Sequence, residues 1–417
     1  MSREERCRIL IVGAGPAGIA AACAASEGGP VTVLDDNPAS GGQIWRGKEN
    51  HWTARLKASG ARIFYQTTAL APLGDAALLA EQNGEAIIFR YEKLILATGA
   101  RELFLPFPGW ILPGVTGAGG LQALVSGGVP IEGKRVVVAG SGPLLLAVAA
   151  HLRNRGAIIE AIAEQAPTSR LVRFTTQLWR TPDKIVQGLG LRWALRGVPL
   201  FTDAWPIAAH GETCVKGVTL RTRSGDRLFA CDYLACGFGL VPNVELPALA
   251  GCHVRDGFVV VDEWQQTSVD NILCAGEPTG IGGVDRSVVE GRIAGYVAAG
   301  QRRQAKKLFA SRGRLNAFSR ELARCFALRD ELRRLAHGTT IVCRCEDVIL
   351  DRVRLHADPR SARLHARCGM GACQGRICGP ALNFVMGWSE TSGRARPPLY
   401  PTTMSTLAAT CDKEPVE

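Results

Sequence analysis

The first 35 residues carry the pattern that most restricts how this chain can fold. A predicted strand at residues 8–12, apolar from Ile9 onward, leads into a glycine-rich turn, an alanine-rich stretch follows, and a second predicted strand ends at Asp35. Asp35 lies 17 residues after the last glycine of the turn. The turn contains Gly13, Gly15, Pro16, Ala17 and Gly18.

This order of strand, glycine turn, helix, strand and acid is the full fingerprint of a dinucleotide-binding unit. The glycines permit a tight turn and let the backbone approach a pyrophosphate, which the N-terminus of the helix faces. The acid at the end of the second strand accepts a ribose hydroxyl. The fingerprint therefore predicts an α/β, Rossmann-like fold with a bound dinucleotide.

A second turn of the same kind follows a predicted strand at residues 135–139, which is apolar from Val136 onward. Its third glycine position holds Leu145, where glycine normally lets helix and strand pack closely around a pyrophosphate. The next apolar run ends in Glu164, at a spacing that differs from the first unit. We predict a second Rossmann-like unit that does not use NAD(P) in catalysis. An unoccupied fold and a different nucleotide both stay open for it.

Four cysteines near the C-terminus fit an iron–sulfur cluster. A [2Fe-2S] centre takes four thiolates, two on each iron, and the spacing supplies one Cys-x-Cys pair and one Cys-x4-Cys pair. Zinc is the main alternative and free thiols are another, although a single residue between ligands suits a tetrahedral zinc site poorly. Cys368 lies just outside the four positions and complicates the ligand assignment; the alternative interpretation is a small buried apolar residue. The predicted ligands are Cys343, Cys345, Cys373 and Cys378.

Most of the net charge of +11 sits in one segment. Residues 301–334 contain eleven Lys or Arg against three acidic residues, with leucine and phenylalanine at helical intervals. The pattern predicts one or two amphipathic helices joined near Gly313. Two interpretations are open: a solvated linker between domains, and a docking face for an acidic electron-transfer partner.

The sequence lacks the residues that several classes of function require. No Cys-x2-Cys pair occurs, which argues against a thioredoxin- or lipoamide-type reductase. We recognise no nucleophilic triad and no nucleic-acid-binding pattern, and we name no catalytic residue. The chain starts with a charged stretch and shows no signal or transit peptide, and no apolar run approaches the ~20 residues of a membrane span. We expect a cytoplasmic protein without disulfides, associated with membranes only through partners.

Three further segments resemble those of the two-dinucleotide-binding-domain flavoprotein family. In that family the first lies over FAD, the second closes the FAD site, and the third usually carries an aspartate where this chain has a glutamate. The resemblance implies FAD rather than NAD at the first unit, with the second unit inserted within the first. The segments are Gly42-Gln43, Ala97-Thr98-Gly99 and Gly276-Glu277.

The cysteine region resembles the bacterioferritin-associated-ferredoxin-like [2Fe-2S] module. The similar residues are Cys343-Arg-Cys345 and the run at 367–380. That module is fused to flavoproteins that are α-type subunits of hydrogen cyanide synthase, opine oxidase and D-hydroxyproline dehydrogenase. Together with the N-terminal segments, the resemblance spans nearly the whole chain.

The resemblance implies an electron-transferring FAD and [2Fe-2S] subunit of a dye-linked dehydrogenase or oxidase that acts on CH–NH or CH–NH2 donors. In those complexes an amine such as D-hydroxyproline or an opine is oxidised in a D-amino-acid-oxidase-like flavoprotein β subunit, often with a small ferredoxin-like γ subunit. A second flavin at a subunit interface stays open. Two alternatives are a self-sufficient NAD(P)H-dependent flavin and iron–sulfur reductase, and a non-catalytic binding or regulatory subunit.

These arguments predict an α/β chain with two Rossmann-like domains and a small α-rich cluster domain. The FAD domain is discontinuous, and a basic helical linker precedes the cluster domain. The predicted boundaries are 1–110 and 241–300 for the FAD domain, 111–240 for the inserted domain, 301–338 for the linker, 339–395 for the [2Fe-2S] domain and 396–417 for a C-terminal tail.

Overall fold

The computed structural model describes residues 3–46, 49–74, 76–177, 182–388 and 395–409. Parts of the predicted cluster domain (389–394) and of the predicted tail (410–417) lie outside these ranges. The strands are β1 (Arg3–Val12), β2 (Val31–Leu34), β3 (Arg62–Phe64), β4 (Thr67–Pro72), β5 (Ala77–Gln82), β6 (Glu85–Leu96), β7 (Ala100–Glu102), β8 (Val115–Gly117), β9 (Arg135–Gly140), β10 (Ile158–Glu164), β11 (Leu200–Thr202), β12 (Trp205–His210), β13 (Gly217–Thr222), β14 (Gly225–Ala230), β15 (Tyr233–Gly237), β16 (Leu240–Pro242), β17 (Val254–Arg255), β18 (Phe258–Val259), β19 (Ile272–Cys274), β20 (Ile341–Cys343) and β21 (Val348–Ile349). The helices are α1 (Pro16–Ala25), α2 (His51–Ala58), α3 (Ala118–Ser126), α4 (Leu144–Asn154), α5 (Thr168–Gln177), α6 (Pro182–Ala194), α7 (Glu245–Leu249), α8 (Gly283–Ala298), α9 (Arg302–Lys306), α10 (Phe309–Cys325), α11 (Leu350–Arg354), α12 (Pro359–Ala366), α13 (Cys378–Met386) and α14 (Met404–Ala408).

The chain divides into two compact units. Unit 1 contains the first fingerprint and all three flavin-type segments. Unit 2 contains both the second fingerprint and the cysteine module. Unit 1 comprises Met1–Arg101, Pro242–Ser319 and Arg394–Glu417, and unit 2 comprises Glu102–Val241 and Arg320–Gly393.

Unit 1 is built on one sheet with the strand order β3-β2-β1-β6-β5-β4, and β19 also pairs with β6. Strands β3, β2, β1, β6 and β19 are parallel, whereas β4 and β5 add an antiparallel extension. Residues 9–11 of β1 are fully buried. Strands of a parallel sheet are covered on both faces, which explains why the sequence of β1 is continuously apolar there.

Helices α1 and α8 pack backbone to backbone beside this sheet. The position that a Cβ at Gly291 would take lies 2.1 Å from the carbonyl oxygen of Ala17, and the equivalent distance from Gly295 to the oxygen of Ala21 is 2.3 Å. Any side chain at these two positions would collide with the α1 backbone. This close packing holds α8, and the segment that precedes it, against the helix of the first fingerprint.

Unit 2 contains a second parallel sheet with the order β11-β10-β9-β15-β8, and a three-stranded antiparallel sheet, β12-β13-β14. Its cysteine module has two short strands and the helices α11 to α13. Leu145 is buried between α4 and the sheet. The two parallel sheets confirm the predicted α/β fold with two Rossmann-like units.

The basic segment forms α9 and α10, and the break between them falls at residues 307–308 rather than near Gly313. Gly313 lies inside α10, where glycine costs about 1 kcal/mol relative to alanine. The start of α10 is fixed by packing, because the ring of Phe309 contacts Trp264 edge-on at 4.9 Å. Among the described residues, no helix is long and apolar enough to span a bilayer.

The described part of the tail packs on the antiparallel strands of unit 1. The N–H of Leu399 donates to the carbonyl oxygen of Leu70 at 2.9 Å. Glu81 accepts the N–H of Thr403 at 3.0 Å and also accepts the hydroxyl of Thr402. Burial acts to raise the pKa of Glu81, but these hydrogen bonds outweigh it and lower the pKa to about 2. The charged carboxylate therefore anchors the tail.

Candidate cofactor sites

The glycine turn of unit 1 is closed on one side and open on the other. Gly13 has a φ of +103°, and a Cβ there would lie 2.3 Å from the carbonyl oxygen of Ala97. A Cβ at Gly15 would instead meet only the Cα of Gly42, at 3.9 Å. The space above Gly15 is the room that a pyrophosphate group needs to approach the backbone.

Asp35 is buried at the end of β2 and is tied to this turn. Its carboxylate accepts the backbone N–H of Ala14 and, at 2.8 Å each, the N–H and the side-chain amide of Asn37. The position of the carboxylate is therefore fixed by the turn itself, as expected for an acid that accepts a ribose hydroxyl.

The Gly42-Gln43 segment lies over the turn. The N–H of Gly41 donates to the carbonyl oxygen of Ala14 at 2.8 Å. Gly42 has a φ of +56°, and a Cβ there would lie 2.9 Å from the Cα of Gly15. Gln43 is exposed at the same edge. The segment thus forms a second wall of the open space above Gly15.

The Ala97-Thr98-Gly99 turn closes the end of β6. The N–H of Ala97 donates to the carbonyl oxygen of Val12 at 2.9 Å. The hydroxyl of Thr98 donates to the carbonyl oxygen of Asn243 at 2.6 Å, and the Asn243 amide donates back to the carbonyl oxygen of Thr98 at 2.9 Å. Thr98 is therefore held in place by Asn243, which lies where the chain returns to unit 1.

The third segment contains a buried carboxylate oxygen that lacks a partner. Glu277 accepts the N–H of Gly283 through Oε1 at 3.0 Å, whereas its Oε2 is buried and has no hydrogen-bond partner among the described residues. Burial raises the pKa of Glu277. An unpartnered buried acceptor needs a donor, and the hydroxyls of a dinucleotide such as FAD supply donors of that kind.

Gly276 places this segment against the fingerprint helix. A Cβ at Gly276 would lie 2.8 Å from the Cβ of Ala17. Its N–H donates to Glu290 at 3.0 Å, and Glu290 forms an ion pair with Arg286 at 2.7 Å in which both side chains are almost fully buried. The structure therefore brings the four predicted FAD segments together in unit 1, and the open space and the unpartnered oxygen both fit FAD.

The five cysteines of the C-terminal module form a group of three and a pair. The sulfur atoms of Cys343, Cys368 and Cys378 all lie within 4.8 Å of one another, and the three residues are buried. The sulfur atoms of Cys345 and Cys373 are 3.9 Å apart, on the more exposed side. Cys343 thus lies next to Cys378, and Cys345 lies next to Cys373. The close pairs in space are not the Cys-x-Cys and Cys-x4-Cys pairs of the sequence.

The thiols of the buried group hydrogen-bond to one another. Hydrogen bonds from Cys368 and Cys378 lower the pKa of Cys343 below its ordinary value, and they outweigh the effect of burial. The N–H of Gly369 also donates to the sulfur of Cys343, at 3.4 Å. Thiolates are the ligands of both iron–sulfur clusters and zinc. The four predicted cysteines supply the four thiolates that a [2Fe-2S] centre takes, so the donor set fits that centre.

The cysteine module packs against the inserted domain within unit 2. The indole N–H of Trp110 donates to the carbonyl oxygen of Ile341 at 2.6 Å, two residues before the first cysteine. Leu332, Leu335 and Ala381 complete the apolar core that contains Trp110. The inserted domain thus supports the strand that carries Cys343.

Residues 326–329 of the chain cover the nucleotide edge of the second Rossmann-like sheet. In such sheets ligands bind outside the carboxyl ends of the strands. Ser141 follows β9 and donates its hydroxyl to the carbonyl oxygen of Phe326 at 2.9 Å. Gln165 follows β10, is fully buried, and donates to the carbonyl oxygen of Ala327 at 3.3 Å.

Arg329 fastens this covering segment. Its backbone N–H donates to the side chain of Gln165 at 3.2 Å, and its guanidinium forms an ion pair with Asp203 at 3.3 Å. The guanidinium also lies over the ring of Trp205, 4.4 Å from its centroid. The side chains of Ser141 and Gln165, which follow the carboxyl ends of β9 and β10, are therefore hydrogen-bonded to this covering segment.

Glu164, the acid of the second unit, is buried at the end of β10. It accepts the N–H of Gly142 at 2.6 Å and that of Ala166 at 2.8 Å. Burial raises its pKa to about 7. Glu164 is thus held by the turn of its own unit and by the residue two positions on, in the same way as Asp35 in unit 1.

Two parallel sheets of this kind, with a flavin-type first site, define the class of dinucleotide-binding flavin oxidoreductases. The chain belongs to the pyridine nucleotide-disulphide oxidoreductase family, whose model matches residues 7–302. An opine oxidase subunit of Rhizobium meliloti (strain 1021) is 31% identical to it over 96% of this chain and 98% of that protein. Hydrogen cyanide synthase subunit HcnB of Pseudomonas aeruginosa is 30% identical over 89% of this chain and 90% of that protein. The predicted family resemblance is confirmed.

Solved structures share the fold at low sequence identity. L-proline dehydrogenase from P. horikoshii has a TM-score of 0.66 and 20% identity, covering 98% of this chain and 80% of that chain. Thioredoxin reductase from T. acidophilum has a TM-score of 0.53 and 21% identity, covering 71% of this chain and 98% of that chain. The opine oxidase and hydrogen cyanide synthase relatives are each named as a subunit of the enzyme.

Sequence reasoning misses three features of these sites. The predicted ligand set leaves out Cys368, although its sulfur lies in the buried thiol group. Glu290 holds the third flavin segment from α8, and the segment 326–329 covers the second sheet. Only Cys368 leaves a signal in the sequence, since it stands five residues before a predicted ligand.

Proposed function

We propose that this chain is the electron-transferring FAD and [2Fe-2S] subunit of a multi-subunit amine or amino-acid dehydrogenase. When bound, FAD supplies two-electron acceptance and the cluster supplies one-electron transfer. The observation that carries the proposal is that one chain combines the open cradle above Gly15, with the unpartnered oxygen of Glu277, and a five-thiol module.

In this proposal the flavin-type residues bind and orient FAD and take no part in substrate chemistry. Gly15 and Gly42 leave room for the pyrophosphate, Asp35 accepts a ribose hydroxyl, and Glu277 accepts a further hydroxyl through Oε2. The remaining residues shape the cradle and hold its segments: Gly13, Pro16, Ala17, Gly18, Gln43, Ala97, Thr98, Gly99 and Gly276. The proposed cluster ligands are Cys343, Cys345, Cys373 and Cys378.

The proposed substrate is a secondary amine such as D-hydroxyproline or an opine. Support comes by analogy from the relative that is a subunit of opine oxidase. The amine would be oxidised in a D-amino-acid-oxidase-like flavoprotein β subunit, and a small ferredoxin-like γ subunit would complete the complex. A second flavin at the interface with that β subunit belongs to the same proposal.

The inserted domain does not serve as an NAD(P)H site in this proposal. The support is the covering segment 326–329, whose carbonyl groups engage Ser141 and Gln165. The buried Leu145 fills the interface where the third fingerprint glycine would stand. Electrons therefore enter from the partner subunit instead of from a nicotinamide.

Anaerobic mixing with NADH or NADPH tests this assignment. At about 1 mM nucleotide, the upper end of usual KM values, we expect the flavin absorbance of the isolated chain to stay unbleached for minutes. Dithionite in the same cell is the positive control and bleaches it at once. Rapid and complete bleaching by either nucleotide would contradict the proposal and establish the self-sufficient reductase.

A further inference from the structure

The cysteine module holds one more thiol than a [2Fe-2S] cluster uses. Cys345 and Cys373 supply two sulfur atoms 3.9 Å apart. A tetrahedral ion with metal–sulfur bonds of about 2.3 Å holds its ligand sulfurs about 3.8 Å apart, so this pair matches one iron. The second iron has three sulfur atoms available, from Cys343, Cys368 and Cys378.

The backbone beside Cys368 contacts the sulfur atom of Cys343. The N–H of Gly369, the next residue, donates to the sulfur of Cys343 at 3.4 Å. A Cβ at Gly369 would lie 3.7 Å from the sulfur of Cys378. The left-handed turn at Gly369, with a φ of +82°, thus places the Cys368 thiol next to both other sulfurs.

All three thiols are protected from solvent. Cys343, Cys368 and Cys378 are 1%, 6% and 6% exposed. Among the described residues, this is the one cluster of three or more His, Cys, Asp or Glu side chains close enough to hold a metal ion. Every pair of sulfur atoms lies within 4.8 Å, so movements of about 1 Å place any two of them on one tetrahedral iron.

We propose that Cys368 is an alternative cluster ligand that exchanges with Cys378 beside Cys343. In the exchange the iron–sulfur bond to Cys378 breaks and one to Cys368 forms. The proton leaves the Cys368 thiol and is taken up by the Cys378 thiolate, so the iron keeps its charge and oxidation state. This inference rests on the proposed cluster, and the experiment separates the two.

Alanine variants test the exchange, because alanine offers no ligand atom. The full chain is reconstituted anaerobically with iron and sulfide as the wild type, C368A, C378A, the C368A/C378A double variant and C373A. Iron and sulfide are counted, and the electron paramagnetic resonance spectrum of the reduced protein is recorded. Bound flavin shows that unit 1 is folded in each form.

We expect about two irons per chain in the wild type and in C368A. C378A is expected to keep at least half of that iron with shifted resonance positions, whereas C373A and the double variant lose at least tenfold. If C378A binds as little iron as the double variant, the exchange is overturned, whereas the proposed cluster is unaffected. If the wild type binds zinc or no iron, the cluster and the exchange are both overturned.

Discussion

Replacing Gly15 with valine is expected to give a folded protein that has lost its flavin. The backbone at this position has a φ of −77°, which valine adopts without strain. The new side chain enters the open space above the turn and first meets Gly42, whose Cα is 3.9 Å from the Cβ position. That space is the one a pyrophosphate needs, so we expect FAD affinity to fall at least 100-fold, or about 2.8 kcal/mol.

Fluorescence titration of the flavin-free protein with FAD measures this effect, and circular dichroism checks the fold. Gly313→Val is the matched control, because Gly313 is exposed in α10 and no atom lies within 4 Å of its Cβ position. The control is expected to bind FAD as the wild type does. Normal flavin content in Gly15→Val would show that the cofactor lies elsewhere.

Replacing Cys345 with alanine is expected to remove the iron and leave the flavin in place. Cys345 and Cys373 form the two-sulfur side of the module, 3.9 Å apart, and Cys368 belongs to the other side. The iron on that side would keep a single cysteine ligand, which cannot hold it in a [2Fe-2S] centre. Iron is expected to fall from about two per chain to less than a tenth of that.

Iron and sulfide analysis of the reconstituted protein measures this loss, with flavin content determined on the same sample. Cys214→Ala is the control, since Cys214 is a half-buried thiol in the loop between β12 and β13. That variant is expected to keep both irons. Wild-type iron content in Cys345→Ala would remove Cys345 from the ligand set.

The fingerprint of unit 1 was predictable because its residues act over short sequence distances. The positions of Gly13, Gly15 and Asp35 follow from a turn and two strands within one βαβ unit, so their spacing is fixed by local geometry. The burial of β1 was equally predictable from its apolar run, since a parallel strand is covered on both faces.

Features that depend on packing between distant segments were not predictable. Cys368 joins Cys343 only because the turn at Gly369 brings its N–H to the sulfur of Cys343. The covering of the second sheet depends on backbone carbonyl groups, such as that of Phe326, which every residue possesses and no pattern marks. The break before α10 follows from the contact of Trp264 with Phe309, which overrides the weak helix propensity of Gly313.

The most direct measurement is an anaerobic reductive titration of the purified chain, combined with flavin, iron, sulfide and zinc analysis of the same sample. The proposed relay requires one FAD and about two irons per chain and an uptake of about three electrons, two by the flavin and one by the cluster. A chain that holds zinc or no iron, and that takes up only the two electrons of its flavin, would contradict the relay.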